Sequence, residues 1–178
     1  MRYGVLLRAV NVGRHNRVRM DILRAALTSA GLGNVRSSLQ TGNLTVDADD
    51  RAAGEVAAAV ESVMAELGLV RPCAIVRPWS DIAELATTTP FVGYDIGDHA
   101  LTVSFCRAEI PDLPTGSWEE GGLTFLGGPP WALFAVLSRD VMGVSNANAI
   151  IERRWGIPAT TRSWNVITDW VAREAPFA

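Results

Sequence analysis

Tyr3-Gly4-Val5-Leu6-Leu7-Arg8-Ala9-Val10-Asn11-Val12-Gly13-Arg14-His15-Asn16-Arg17-Val18-Arg19-Met20-Asp21-Ile22-Leu23 is the stretch on which the fold turns. Tyr3–Val10 is a short apolar run with β character. A loop bearing Gly and Asn follows, through Asn16. From Met20 the period changes. Met20, Leu23, Leu27 and Ala30 recur at helical spacing, and Gly31 stands where a left-handed residue ends a helix.

Reading outward, Val35–Leu39 alternates as a strand, Thr41-Gly42-Asn43 is a tight turn, and Leu44–Val46 is a second strand. Val56, Val60, Val63 and Leu67 form a second helical stripe that stops near Gly68, and Pro72–Val76 returns to β character. The order is β-α-β-β-α-β, the split βαβ or ferredoxin-like unit. In that topology the first and third strands are antiparallel neighbours. The end of strand one therefore lies at the same sheet edge as the turn between strands two and three. Asn11–Gly13 and Gln40–Asn43 are expected to meet there, with Arg8 approaching along the first strand.

The second half reads as a looser version of the same plan. Ser80–Thr87 is a bridging helix, and Ala100–Cys106 a strand. Pro111–Gly122 is too rich in Pro and Gly for a good helix. Leu123–Leu126 and Trp131–Leu137 form a hairpin around Gly127-Gly128-Pro129-Pro130. Asn146–Trp155 is a helix stopped by Gly156, Ala159–Arg162 a short edge strand, and Ile167, Trp170 and Val171 mark a last helix with Ser163 as N-cap candidate. The fold class expected is α+β, two ferredoxin-like units packed together, with residues 1–78 as unit one and 79–178 as the bridging helix and unit two.

Composition narrows the function classes. The net charge of -3 makes no global case for nucleic-acid binding. The charge is unevenly placed: residues 1–40 hold seven Arg and one acid, whereas 41–70 hold six acids and one Arg. Lysine is absent, so every side-chain cation other than histidine is a planar guanidinium suited to carboxylate or phosphate. Cys73 and Cys106 lack C-x-x-C spacing and read as reduced, buried residues. No apolar run approaches the ~20 residues that cross a bilayer. The expectation is a cytoplasmic protein with no membrane partner. Oligomeric state has no signature in the sequence.

Two polar stretches draw attention. Arg8, Asn11, Gly13 and Asn16, with Gln40, Thr41, Gly42 and Asn43, combine donors, acceptors and glycines that permit close backbone approach. Read blandly, they are a capped βα connection and a hairpin turn. Arg8 within an apolar strand resists that reading, because such a charge must be paired or face a cleft. Arg14, His15, Arg17 and Arg19 form a basic cluster, read as a solvated face or as phosphate contacts. The other stretch is Thr160-Thr161-Arg162-Ser163-Trp164-Asn165, a strand leading into a helix N-terminus. Its exposed N–H groups suit an anion, with Arg162 assisting. Capping and a buried Trp are the plain alternative. Catalysis has little support. His15 and His99 cannot make a metal site without carboxylates at defined spacing, and no phosphate-binding loop, dinucleotide fingerprint or nucleophile elbow is present. No metal or cofactor is expected, and His99 reads as the start of a strand.

These motifs resemble the bacterial family catalogued as domain of unknown function 1697. Its opening strand resembles LLRGINVGG followed by N-x-V-x-M-x-x-L, and LLRAVNVGRHNRVRMDIL stands here at Leu6–Leu23. Its Q-S-G-N segment resembles Gln40–Asn43, and its T-T-R-N-W-N segment resembles Thr160–Asn165. Ala9 and Arg14 stand where Gly is usual, Thr41 for Ser and Ser163 for Asn. The resemblance implies an α+β fold with ferredoxin-like units and no established role.

The function expected is binding of a small anionic or phosphate-bearing ligand by Arg8, Asn11, Gly13, Asn16, Gln40, Thr41, Gly42, Asn43, Thr161, Arg162, Trp164 and Asn165. Single-stranded nucleic acid on the sheet face is the alternative, although Tyr3 is the one candidate aromatic on the first and third strands. An enzyme acting by electrostatic positioning is the third reading.

Overall fold

The structure is a computed structural model and describes residues 1–12, 16–38, 40, 42–141 and 146–175. The chain divides into two compact units, Met1–Leu85 and Ala86–Ala178.

Unit one runs β1 (Arg2–Leu7), α1 (Met20–Ser29), β2 (Gly33–Ser38), β3 (Asn43–Asp47), α2 (Ala53–Glu66), β4 (Ala74–Pro78) and α3 (Trp79–Ala86). The four strands form one antiparallel sheet in the order β2-β3-β1-β4. The helices follow from the apolar spacing. Met20, Leu23 and Leu27 bury one face of α1, and Val56, Val60, Val63 and Met64 one face of α2. Gly31 and Gly68, at φ 85° and 84°, end the two helices in the left-handed conformation that glycine adopts without Cβ strain. At the start of α2 the Glu55 carboxylate accepts from the Ala52 N–H at 2.7 Å, the half of a capping box that an Ala N-cap allows. Val5, Leu23, Leu27, Leu44, Val46, Val56 and Val60 are fully buried in one core, each removal from water being worth ~1.5–3 kcal/mol.

Unit two runs β5 (His99–Cys106), β6 (Trp118–Glu120), β7 (Leu123–Gly127), β8 (Ala132–Ser138), a 3-10 turn (Arg139–Val141), α4 (Ala147–Trp155), β9 (Ala159–Ser163) and α5 (Trp164–Glu174). Its sheet has the order β6-β7-β8-β5-β9 and is antiparallel throughout. The Asn146 carboxamide caps α4 by accepting from the Ala149 N–H, and Gly156 closes it at φ 69°. β9 lies at the sheet edge, where the sequence places it. β6 falls in the stretch read as irregular. Its three residues are held by the Gly121-Gly122 turn and by Trp118, which stacks on its cross-strand neighbour Phe125 at 4.8 Å. Arg153 and Arg154 of α4 hold the Glu120 carboxylate at 2.9 and 3.1 Å, keeping it well below the usual carboxylate range, chiefly through the Arg153 hydrogen bond.

Without β6, the second sheet reads β7-β8-β5-β9, the strand plan of the first. The registers agree residue for residue. Leu7 faces Ala74 and Leu6 faces Asn43 in unit one; Cys106 faces Ala159 and Phe105 faces Ala132 in unit two. The strand ends correspond as well: Arg8 N–H donates to the Cys73 carbonyl and Arg107 N–H to the Pro158 carbonyl, both at 2.9 Å. A helix begins at the next residue after β4 and after β9, at Trp79 and Trp164.

Candidate functional site

The first polar stretch follows β1, which ends at Leu7 rather than at Val10 because Ala9 and Asn11 take left-handed φ values of 54° and 57°. The two distant segments meet. The Leu7 N–H donates to the Gly42 carbonyl at 2.8 Å, and the Asn11 carboxamide donates to the carbonyls of Gln40 and Val18, each at 3.0 Å. Asn11 Oδ1 also accepts from the Val18 N–H at 2.9 Å. Asn16 clasps Val70 in both directions, donating to its carbonyl and accepting from its N–H. Asn43 is fully buried. A Cβ on Gly42, at φ 78°, would lie 2.8 Å from Leu7 Cβ. These groups build the loop. Gln40 is exposed and borders a recess with Arg19, Met20, Asp21 and Arg24; there Arg19 pairs with Asp21 at 2.6 Å and Arg24 donates to Ser37 Oγ at 2.6 Å. Arg8 is half-buried. Gly13 and Thr41, with Arg14 and His15, lie outside the described residues. Tyr3 is buried, its hydroxyl donating to the Arg51 carbonyl at 2.7 Å, so it presents no stacking face.

The second stretch spans the β9–α5 joint. Thr161 Oγ1 donates to Asn148 Oδ1 at 2.7 Å and lies 2.8 Å from Ser104 Oγ. The Arg162 guanidinium donates to Thr160 Oγ1 at 2.7 Å and to the Thr161 carbonyl at 3.0 Å, and burial pulls its pKa down to about 10, leaving it cationic at neutral pH. Thr161 and Arg162 are thus engaged within the unit. Ser163, Trp164 and Asn165 instead line a cavity of about 370 Å3 together with Ile96, His99, Ala100, Leu101 and Arg139. That volume falls within the range of small-molecule sites, roughly 300–1,000 Å3.

The cavity is built from β5, the turn after β8, and the first turn of α5. Arg139 is held in place by donating from Nε and Nη2 to the Ile96 carbonyl at 3.2 and 2.9 Å, while its N–H donates to the Asp98 carbonyl. His99 Nδ1 lies 3.1 Å from the Asp95 carbonyl, a contact in which Nδ1 donates when it carries the proton. The acids in the adjoining loop are Asp95, whose Oδ1 accepts from the Gly97 N–H at 2.6 Å, and Asp98. Trp164 packs edge-on with Phe91 and Phe134 at 5.7 and 5.5 Å, which fixes its ring. A guanidinium, an imidazole and the N–H groups of a helix start beside an apolar wall can receive an anion attached to an apolar body.

His99 was legible only as a strand start, and Arg139 carried no signal in sequence. One further signal is present. Ala74-Ile-Val-Arg77-Pro-Trp79 and Ala159-Thr-Thr-Arg162-Ser-Trp164 share Ala, Arg and Trp at the same spacing, and they are the corresponding segments of the two sheets. Among the described residues no cluster of His, Cys, Asp and Glu could hold a metal ion, and no helix is long and apolar enough to cross a membrane.

A family model described as "Protein of unknown function (DUF1697)" matches residues 1–117. Among solved structures, that of the conserved bacterial protein SP0830 from Streptococcus pneumoniae is similar at a TM-score of 0.66 and 20% identity, covering 96% of this chain and 98% of that one. At that identity the likeness speaks to fold. No curated protein matches.

Proposed function

We propose that this chain, which belongs to the DUF1697 family of proteins of unknown function, binds a small anionic ligand in the cavity of its second unit. The observation that carries the reading is the presence of Arg139 and His99 on the wall of a 370 Å3 cavity that opens against the first residues of α5. Arg139 is positioned in advance by the Ile96 carbonyl, so little side-chain freedom remains to be lost on binding. The N–H groups of the first turn of α5 add partial positive charge at the same place. The first polar stretch contributes loop architecture rather than free donors at Asn11 and Asn16.

Differential scanning fluorimetry with inorganic phosphate and with sulfate tests this. Phosphate at millimolar concentration should raise the melting temperature of the wild type. Arg139→Met should abolish the rise, and Arg139→Lys should keep part of it. No rise with either anion in the wild type, or an undiminished rise in Arg139→Met, removes the proposal.

A further inference from the structure

The matched registers of the two sheets allow the cavity to be compared with the same place in unit one. The pair Arg2 and Asp47 on β1 and β3 corresponds to Leu101 and Val136 on β5 and β8. Trp79, the first residue of α3, corresponds to Trp164, the first residue of α5. In unit one the Arg2 guanidinium lies over the Trp79 ring, Cζ 6.0 Å from its centroid, and Arg2 Nε is 3.9 Å from Asp47 Oδ1. Trp79 is buried there. In unit two the shorter Leu101 stands in place of the arginine, and Leu101 and Trp164 both line the cavity, with Trp164 half-buried. What unit one fills with its own flat group, unit two leaves open.

We infer that the second unit's cavity takes the flat ring of a ligand against Trp164, in the position that the Arg2 guanidinium holds against Trp79. This rests on the anion reading above and adds to it the chemical class of the body that carries the anion. The correspondence itself admits a planar cation or a planar ring, and the charges decide between them. The carboxylate that balances Arg2 in unit one is replaced by Val136, and Arg139 adds positive charge to the wall. A guanidinium entering here would be desolvated beside the like charge of Arg139, with Val136 at the place that Asp47 holds in unit one. An aromatic or heteroaromatic ring meets Trp164, Leu101 and Ile96 without that cost, and an anionic substituent on it reaches toward Arg139. The class is therefore a ring-bearing phosphate or carboxylate, of which a nucleoside monophosphate is the simplest probe.

Titration calorimetry with adenosine monophosphate, adenosine, inorganic phosphate and agmatine tests it on the whole chain. Adenosine monophosphate should bind roughly tenfold or more tighter than phosphate, the increment a stacked base commonly adds. The double substitution Leu101→Arg, Val136→Asp supplies unit two with the plug that unit one already carries. In a double variant whose circular dichroism spectrum matches the wild type, it should reduce adenosine monophosphate to the affinity of phosphate or below. If adenosine monophosphate binds no tighter than phosphate, or if agmatine binds tighter than both, the inference is wrong while anion binding stands or falls on phosphate alone. Undiminished binding by a folded double variant overturns it too. Should that variant not fold, the wild-type comparison of the four probes decides by itself.

Discussion

Removing the Asn11 carboxamide separates a ligand-binding asparagine from a structural one. The side chain makes three hydrogen bonds, donating to Val18 and Gln40 and accepting from Val18. A net value of about 1 kcal/mol each, lower where water reaches the group, gives ~2–3 kcal/mol for their joint loss. The residue also sits at φ 57°, which glycine adopts freely and alanine does not. Asn11→Gly therefore reports the hydrogen bonds alone, and Asn11→Ala adds roughly 1 kcal/mol of backbone strain. In urea, with slopes of about 1–3 kcal/mol per molar for small domains, the glycine variant should lose about 1 M in the midpoint of the transition that carries unit one, and the alanine variant more. Neither should change phosphate binding in unit two. A glycine variant within ~0.5 kcal/mol of the wild type would refute the clamp, and with it the assignment of this loop to architecture.

Gly42→Ala meets both a left-handed φ and a Cβ contact of 2.8 Å with Leu7, so it should cost about 2–4 kcal/mol; Gly68→Ala, at φ 84° with open space around it, should cost about 1, and equal losses in urea melts would contradict the contact. Glu120 is held below its ordinary pKa of 4.5 by Arg153 and Arg154, so its contribution is present above that value and lost as pH falls through the lower, folded-state one. The stability gap between wild type and Glu120→Gln, ~0.5–1 kcal/mol at pH 7 for so exposed a network, should close as the pH falls below 4.5. Burial pulls the folded pKa of Arg162 down to about 10, below that of the unfolded chain, so above pH 10 the unfolded chain binds the extra proton. Wild type should gain on Arg162→Met as pH rises from 10 toward 12, and a gap that narrows instead would show that the guanidinium is not desolvated.

The helices were legible because their apolar spacing is long and their ends carry Gly31, Gly68 and Gly156 in left-handed conformations. The juxtaposition of Asn11 with Gln40 was legible because a strand order dictates which loops share an edge. β6 was not, since three residues carry no periodicity and its pairing depends on a cross-strand stack. The cavity was legible only through Trp164 and Asn165, the ends of a motif. Arg139 joins it through the turn after β8, which no local pattern announces, and His99 joins it as the first residue of β5. Thr161 holds Asn148 and Ser104 as partners and Arg162 holds Thr160; the two contacts of Thr161 depend on strand pairing and on the α4–β9 packing and have no local signal in the sequence.

The seam formed by Ser104, Thr161 and Asn148 has a consequence for descent. At the matching places unit one has Val5 and Val76, methyl against methyl. A lineage that exchanged Thr161 alone for valine would strand the Asn148 acceptor, and one that exchanged Ser104 alone would leave a hydroxyl short of a neighbour. Each single step descends before the joint step recovers, with a coupling on the order of 0.5–3 kcal/mol between adjoining sites. The three positions should therefore be inherited as a block, and homologues in which one has drifted should show the other two drifted with it.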